Sequence, residues 1–367
     1  MNYIKFKNHS KSLLLYLLVA ILIPLNAIAQ KGTLEGQQIT SPALEGNLIG
    51  DSAKRYFYVY LPPSYETGLK SYPSVYMLHG YSQNGSSYTD LKPTLDSMIK
   101  NGQMVEMIIV FVDGSNKFGG SWYQSSITIG DYEKYITRDI VNLVDAKYRT
   151  ISHKNSRGIT GISMGGYGCM RLALKYPSVF SVVAANGGPY NNDSDYSRNL
   201  FKTTANANPK DWGAFYGLFW MSQASFAYVA GSSPNPDKPP FFLDKPFEIV
   251  NGVIQAVPDV RNECIDQDIL HGELNRYVKQ PVRLNNILIL HATNDSVVPV
   301  SEAQELDKAM TESGVKHVYK EHLAEHTFVA TDSFKFLSDN LSFSLPVTTS
   351  IQSYSKLTTT WGMMKSY

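Results

Sequence analysis

The stretch RGITGISMGG, residues 157–166, decides the fold of this 367-residue chain. It carries the pattern Gly-x-Ser-x-Gly at Gly161, Ser163 and Gly165, which is typical of a nucleophilic serine on a sharp turn between a strand and a helix. A Cβ atom at either glycine would collide with the strand or helix that crosses there, so the turn requires glycine at both positions. The sequence therefore predicts a serine whose hydroxyl group stands clear of a sheet.

The segments on both sides of this turn have the required patterns. Ile159 and Thr160 end a short β-type run, and residues 167–176 (YGCMRLALKY) have the apolar periodicity of a helix that ends before Pro177. The N-terminus of such a helix presents backbone N–H groups and a positive dipole end to the serine, where an oxyanion would form. Strand, turn and helix thus follow in the order that this nucleophile needs.

The composition is that of a globular protein with no strong charge. Hydrophobic residues make up 43% of the chain and charged residues 18%, and 367 residues are enough for a large core. The net charge of +1 gives no electrostatic reason to expect a nucleic acid or a membrane surface as partner.

The N-terminal residues 1–29 have the pattern of a secretory signal peptide. Three lysines precede the apolar run 13–25, and Ala27 and Ala29 then form a small-x-small cleavage signal. We expect a secreted or periplasmic mature protein with no stable membrane association after cleavage. The alternative is an uncleaved membrane anchor.

Strand and helix signals alternate along residues 30–345, which we expect to form one catalytic domain. The predicted strands are 55–61, 74–78, 107–112, 180–184, 287–291 and 316–320, and the predicted helices besides 167–176 are 88–100, 131–148, 302–313 and 330–340. Short apolar strands separated by amphipathic helices indicate an α/β fold with a doubly wound, mostly parallel sheet. Active sites of such sheets lie at the carboxyl ends of the strands.

Residues 189–285 interrupt this alternation. They are rich in Asn, Asp, Pro and aromatic residues and show no strand signal, which predicts a helical or irregular lid insertion over the site. The alternative is a separately packed helical insertion that does not contact substrate. The Ser/Thr-rich segment 346–367 is expected to be a loosely packed C-terminal tail.

A serine nucleophile needs a base, and the base needs an acid that orients it. In this type of fold the acid and then the base follow the serine along the chain. Asp295 follows the predicted strand 287–291, and His326 follows the last predicted strand. His322 is the other candidate base, but it continues the strand, whereas His326 lies in the loop before the final helix. We therefore predict the triad Ser163, Asp295 and His326.

The segment His322-Leu-Ala-Glu325-His326 also spells H-x-x-E-H, which on a helix would be an inverted zinc-protease motif. Zinc needs both histidines on one helical face, yet this segment follows the β-like residues 315–319. We therefore expect no metal and no other cofactor.

Two cysteines, Cys169 and Cys264, are the only ones in the chain. Export would permit a disulfide, but the sequence does not show whether the two meet. Cys169 lies on the helix after Ser163, where a buried free thiol is the usual state.

The predicted oxyanion hole combines two backbone N–H groups. One belongs to Met164, directly after the nucleophile, and the other to Tyr81, in the loop after the strand 74–78. Gly80 would let the backbone approach the ester, while His79 is expected to be a structural hydrogen-bonding residue.

Several of these segments together resemble the putative-esterase family of α/β-hydrolases, which includes esterase D, feruloyl and acetyl-xylan esterases, enterochelin esterases and antigen 85 mycolyltransferases. The residues that carry the resemblance are His79-Gly80, Asp113-Gly114, Gly120-Ser-Trp122-Tyr123, the segment 161–166, the Asp295 turn and His326. The resemblance runs from about residue 55 to 343 and implies an α/β-hydrolase fold. It also implies that Trp122 and Tyr123 line the acyl or alcohol pocket. The sequence departs from the family at Glu325, where glycine or aspartate is usual, and in its longer insertion.

The sequence as a whole predicts a secreted serine carboxylesterase that works through an acyl-enzyme on a small-molecule or polysaccharide-linked ester. The resemblance implies feruloyl or acetyl esters of plant polysaccharides as substrates. The alternatives are an enterochelin-type siderophore esterase, an acyltransferase and a non-catalytic carbohydrate-binding protein.

Overall fold

A central sheet of eight strands organises the part of the chain that the computed structural model describes, residues 31–345. The strands in chain order, including two short pairs outside this sheet, are β1 (Thr33–Thr40), β2 (Lys54–Leu61), β3 (Ser74–Leu78), β4 (Ile108–Val112), β5 (Ser125–Ser126), β6 (Gly130–Asp131), β7 (Arg157–Ile162), β8 (Val182–Asn186), β9 (Phe247–Val250), β10 (Val253–Ala256), β11 (Asn286–Ala292) and β12 (Val318–His322). The spatial order in the sheet is β1-β2-β4-β3-β7-β8-β11-β12.

Helices connect these strands. In chain order they are α1 (Lys92–Lys100), α2 (Tyr132–Lys134), α3 (Val141–Lys147), α4 (Met164–Lys175), α5 (Asp195–Asn206), α6 (Trp212–Tyr216), α7 (Trp220–Ser232), α8 (Pro258–Asp266), α9 (Leu274–Tyr277), α10 (Ser301–Glu312) and α11 (Ala330–Asn340). Short 3₁₀ turns lie at Pro42–Leu44, Thr89–Leu91 and Lys154–Ser156, and π-helical segments at Tyr135–Ile140 and Ile269–Glu273.

The sheet is parallel from β4 to β12 and antiparallel at its β1–β2 edge. The register pairs Leu78 with Gly161 and Ile162 with Asn186, so β3, β7 and β8 end at nearly the same level. Asn186 in turn pairs with Leu290 of β11. The loops that follow β3, β7, β8, β11 and β12 therefore meet at one edge, as predicted for a doubly wound α/β sheet.

The central strands are buried on both faces, since helices cover each side of the sheet. All residues of β3, β4, β7 and β8 are buried, which explains why they appear in the sequence as continuous apolar runs. The six predicted strands are confirmed, with ends that differ by at most two residues. The edge strand β1 was not predicted, because its sequence TLEGQQIT is largely polar and its side chains alternate between exposed and half-buried.

About half of the segment between β8 and β11 is helical, and the prediction that it contains no strand is wrong. β9 and β10 form an antiparallel hairpin whose turn is Asn251-Gly252. Both turn residues have positive φ, at 51° and 79°. Asn-Gly is the pair that such two-residue turns favour, so the sequence did contain a local hairpin signal.

The predicted signal peptide 1–29 and the predicted tail 346–367 lie outside the described residues. Within residues 31–345, no helix has the length and hydropathy of a membrane span. Cys169 and Cys264 are buried and not bonded to each other, which confirms the expectation of a free thiol at Cys169.

Candidate active site

Ser163 lies on the turn between β7 and α4 in a strained backbone conformation, with φ 59° and ψ −122°. A Cβ atom built on Gly161 would lie 2.4 Å from the carbonyl oxygen of Gly165, and one on Gly165 would lie 2.2 Å from that of Leu78. Both distances are far below van der Waals contact. The steric requirement for glycine at these two positions is therefore confirmed.

Asp295 and His326 form a close pair at the same edge of the sheet. His326 Nδ1 donates a hydrogen bond to Asp295 Oδ2 at 2.6 Å. Asp295 Oδ1 accepts two further hydrogen bonds, from the backbone N–H groups of Val297 at 2.9 Å and Val298 at 2.8 Å. The carboxylate is thereby fixed in the turn after β11, and His326 Nε2 is left free to accept a proton.

His291, the next-to-last residue of β11, supports this turn and was not singled out by sequence reasoning. Its ring is fully buried, and Nε2 donates to the carbonyl oxygen of Val298 at 2.9 Å and lies 3.5 Å from Asp295 Oδ2. Burial alone would raise the pKa of Asp295, but hydrogen bonds from His291, His326 and the Val298 N–H outweigh it and hold the pKa well below its usual range. The acid stays ionised and able to orient the imidazole.

Ser163 and His326 line one cavity of about 730 Å³. Within residues 31–345, no hydrogen bond joins Ser163 Oγ to His326 Nε2, as is common before substrate tightens an active site. Gly187, at φ 49°, lies under the acid and base. A Cβ atom there would be 3.4 Å from Asp295 Oδ2 and 3.5 Å from His326 Cε1. The structure thus brings the three predicted triad residues to one place.

Asn186 connects the serine turn to the helix behind the base. Its carbonyl oxygen accepts a hydrogen bond from the Ser163 N–H at 3.0 Å. Its side chain accepts one from the Val329 N–H at 3.2 Å and donates to Ser333 Oγ at 3.1 Å. Sequence reasoning placed Asn186 at a strand end only, and no local pattern marks these contacts.

His322 is the last residue of β12, whereas His326 lies in the loop before α11, as predicted. The H-x-x-E-H segment therefore does not form a helix that could present both histidines on one face. Burial, with a smaller effect of nearby His291, lowers the pKa of His322. Both of its ring nitrogens are shielded from solvent and have no hydrogen-bond partner among the described residues.

The two predicted oxyanion donors belong to different elements: Tyr81 lies in the loop after β3, and Met164 is the first residue of α4, directly after Ser163. Within residues 31–345, the backbone N–H groups of Tyr81 and Met164 have no hydrogen-bond acceptor. A Cβ atom on Gly80 would be 3.6 Å from Ser163 Cβ, so the loop after β3 does approach the serine. Gly120 packs against the side chains of both donors. A Cβ atom built on Gly120 would lie 2.5 Å from Met164 Sδ and 3.1 Å from Tyr81 Cδ2.

His79 is a structural hydrogen-bonding residue, as expected. Its Nε2 accepts from the Gly114 N–H at 2.8 Å, and its Nδ1 bonds the carbonyl oxygen of Gly80 at 2.7 Å. These bonds hold the loop that carries Tyr81.

The two aromatic residues predicted to line a substrate pocket have different positions. Trp122 lines a second, small cavity beside Ser163, and its Nε1 donates to the Ala224 carbonyl oxygen at 3.0 Å. Tyr123 is fully buried, donates to the His79 carbonyl oxygen at 2.8 Å and lines neither cavity beside Ser163. Tyr123 therefore supports the loop after β3 from below and does not face substrate.

The insertion contributes to both cavities. Trp220, the first residue of α7, lines both of them, and further residues from this segment line the small one: Pro189, Tyr196, Leu200 and Ala224. The alternative that the insertion packs away from the site therefore does not hold.

Comparisons with known proteins find esterases among the relatives of this chain. An esterase of Mycobacterium tuberculosis (strain ATCC 25618 / H37Rv) is 26% identical over 205 residues, which cover 48% of this chain and 43% of that protein. An endo-1,4-beta-xylanase/feruloyl esterase of Xylanibacter ruminicola is 28% identical over 143 residues, 36% of this chain and 19% of that protein. The chain thus spans less than half of the length of these two relatives.

Among solved structures, a ferulic acid esterase superposes with a TM-score of 0.54 at 17% identity, covering 85% of this chain and 99% of that one. At that identity the likeness shows the fold, which is that of the α/β-hydrolases. The family model described as "Putative esterase" matches residues 52–238. That range contains Ser163 and both candidate oxyanion donors, while Asp295 and His326 lie beyond it and rest on the geometry above. Since the match covers just over half of the chain, the chain belongs to the putative esterase family.

Proposed function

We propose that this protein is a serine carboxylesterase with Ser163 as nucleophile, His326 as base and Asp295 as orienting acid. The observation that carries the proposal is the partly buried Asp295–His326 pair, whose histidine shares one cavity with a serine on a strained strand-to-helix turn. Such a constellation supports acyl transfer by nucleophilic catalysis.

The residues present account for each proton in the reaction. Ser163 Oγ attacks the ester carbonyl carbon and passes its proton to His326 Nε2, while the carbonyl oxygen takes negative charge beside the N–H groups of Tyr81 and Met164. The bond to the alcohol breaks, and His326 gives its proton to the leaving oxygen. Water then attacks the acyl carbon and passes a proton to His326. The bond between the acyl group and Ser163 Oγ breaks, His326 returns that proton to Ser163 Oγ, and the acid leaves.

The substrates that we propose are feruloyl or acetyl esters of plant polysaccharides. We propose that the protein is exported and cleaves them outside the cytoplasm. Feruloyl esters are supported by the names of the relative from Xylanibacter ruminicola and of the superposed esterase. Export is supported by the sequence pattern of residues 1–29, and N-terminal sequencing of secreted protein would test it.

The triad is tested by hydrolysis of p-nitrophenyl acetate with and without EDTA. We expect Ser163→Ala and His326→Ala to lower kcat at least about 10³-fold and Asp295→Asn by a similar factor, since the three groups act as one unit. His322→Leu is the matched histidine control and should keep kcat within about threefold of the parent. Loss of activity in His322→Leu but not in His326→Ala would reassign the base, and activity that survives in Ser163→Ala would contradict the proposal.

A further inference from the structure

Two cavities that differ sharply in size meet at Ser163. The large one holds about 730 Å³ and opens to solvent, whereas the small one holds only about 20 Å³. A buried water needs about 10–15 Å³, so the small cavity has room for a small group only. Its walls are mostly apolar, with Trp122, Leu200, Ala224 and Val298 among them.

The position of His326 decides which part of an ester lies in which cavity. His326 lines the large cavity and not the small one. The alcohol oxygen must take its proton from His326 Nε2 when it leaves, so the alcohol has to lie on the side of the large cavity. The carbonyl oxygen is directed to the Tyr81 and Met164 N–H groups. The remaining substituent, the acyl chain, is then left with the small cavity.

We infer that this esterase is selective for short acyl chains, with acetyl esters of bulky, uncharged alcohols as its substrate class. This inference rests on the proposed function and decides between its two substrate types: an acetyl methyl group fits the small cavity, and a feruloyl group does not. One methylene group more or less in a closed apolar enzyme pocket changes kcat/KM about 10- to 200-fold, which is about 1–3 kcal/mol.

The large cavity has the chemistry of a site for a hydroxyl-rich alcohol. Ser82, Gln83 and Asp90 give it hydrogen-bonding groups, and the Trp220 ring, 40% exposed, gives it an aromatic face. Sugars bind through such a combination of polar groups and an aromatic surface. Among the described residues that line this cavity there is no Lys or Arg, so an alcohol with phosphate or carboxylate groups would find no cation there.

Trp220 is the wall that limits the acyl chain, because it lines both cavities. Removing its indole ring would join the small cavity to the large one on the acyl side. Phe219 is a matched aromatic control: it is the preceding residue, 63% exposed, with its ring centroid 5.8 Å from that of Trp220, and it lines neither cavity.

The experiment compares two isomeric esters, benzyl acetate and methyl phenylacetate. They contain the same atoms and release alcohols of similar acidity, but the small group is the acyl part of the first and the alcohol part of the second. We expect at least about a tenfold higher kcat/KM for benzyl acetate. We expect Trp220→Ala to raise kcat/KM for methyl phenylacetate at least about tenfold and so to reduce the ratio, while Phe219→Ala leaves the ratio unchanged.

A second series holds the leaving group constant, with p-nitrophenyl acetate, butyrate and octanoate. We expect kcat/KM to fall with acyl length in the parent. If Trp220→Ala does not fold, Leu200→Ala, which removes another apolar lining residue of the small cavity, should restore butyrate hydrolysis. A preference for methyl phenylacetate, or octanoate cleaved as well as acetate, would overturn the inference while leaving the esterase intact. If no ester in either series is cleaved in a Ser163-dependent way, the proposed function itself falls and the inference with it.

Discussion

Asn186 is a single buried residue whose hydrogen bonds fix the nucleophile and the base relative to each other. Its backbone carbonyl holds the Ser163 N–H, and its side chain holds the Val329 N–H and the Ser333 hydroxyl of α11. Because α11 directly follows the loop of His326, the position of the base relative to the serine depends on this residue.

We predict that Asn186→Leu lowers kcat at least about tenfold with little change in KM, and destabilises the fold. The half-buried Val329 N–H and the buried Ser333 hydroxyl lose their partner, which costs about 1–3 kcal/mol for each buried group left unpaired. Thermal unfolding and steady-state kinetics measure the two effects. Asn275→Leu is the control, since Asn275 makes an exposed bond to the His271 carbonyl. Equal losses in both variants would contradict the role of Asn186.

The residues that the sequence could predict are those whose reason is local. Gly161 and Gly165 lie two positions from Ser163, and one short pattern contains both the turn and its steric cause. Asn186 is different, since its partner Val329 lies 143 residues away. A hydrogen bond of that kind exists only once the sheet has been assembled, so no spacing in the sequence indicates it.

At the scale of elements, one fully buried arginine, Arg171, links the helix α4 to α2 and to the insertion. Arg171 bonds Glu133 in α2 and the Gln267 side chain, and its Nη2 lies 3.3 Å from Glu273 Oε1 in the π-helical segment of the insertion. Burial alone would raise the pKa of Glu133, but Arg171 and Lys175 outweigh it and lower that pKa. The helix that carries the nucleophile is therefore linked to the insertion by charge as well as by packing.

We predict that Arg171→Ala costs about 3 kcal/mol of unfolding free energy, because two buried carboxylates lose the cation that they share and keep only Lys175 for Glu133 and Arg276 for Glu273. KM and kcat of the fraction that remains folded should change little, since Arg171 does not reach Ser163. Chemical denaturation measures the unfolding free energy. Steady-state kinetics, normalised by active-site titration, measure KM and kcat of the folded fraction. Arg198→Ala removes a solvent-exposed arginine bonded to Asp193 and should cost far less unfolding free energy. A similar loss in both variants would contradict this role of Arg171.

The elements themselves could be predicted where one apolar face is continuous. The prediction of one helix over 131–148 was right in outline, but the structure divides it into α2, a π-helical segment and α3. An apolar stripe is compatible with either helical form, so the sequence does not reveal the change. The strand β1 was missed for the opposite reason: it is an edge strand, and its pairing to β2 is not accompanied by an apolar face.

At the scale of the whole molecule, stability near neutral pH depends on two histidines that act in opposite directions. A hydrogen bond to Asp268 raises the pKa of His271, so its contribution is present at low pH and is lost as the pH rises through the folded-state pKa. Burial lowers the pKa of His322. The unfolded chain then takes up a proton below about pH 6.5 that the folded chain refuses, so acidification costs stability.

We predict that removing either histidine changes the slope of the unfolding free energy against pH, with opposite signs for the two residues. Relative to the parent, His322→Leu should gain stability as the pH falls from 8 to 5.5, and His271→Leu should lose it. Urea denaturation midpoints at four or five pH values measure both slopes, and each variant serves as the control for the other. Slopes of the same sign would show that the two side chains do not differ in this way.

The insertion also has a topological role, because it is the connection between two neighbouring parallel strands. It leaves β8 at the carboxyl edge of the sheet and must return to the opposite edge, where Asn286 of β11 pairs with Val182. Parallel neighbours need a crossover of at least about a dozen residues. In evolution or in protein engineering, this segment can therefore be lengthened, shortened or exchanged for one with another acyl pocket, but it cannot be deleted. The sheet sets the minimum length of the segment, and the residues of the segment that line the cavities beside Ser163 are those that can vary with the substrate.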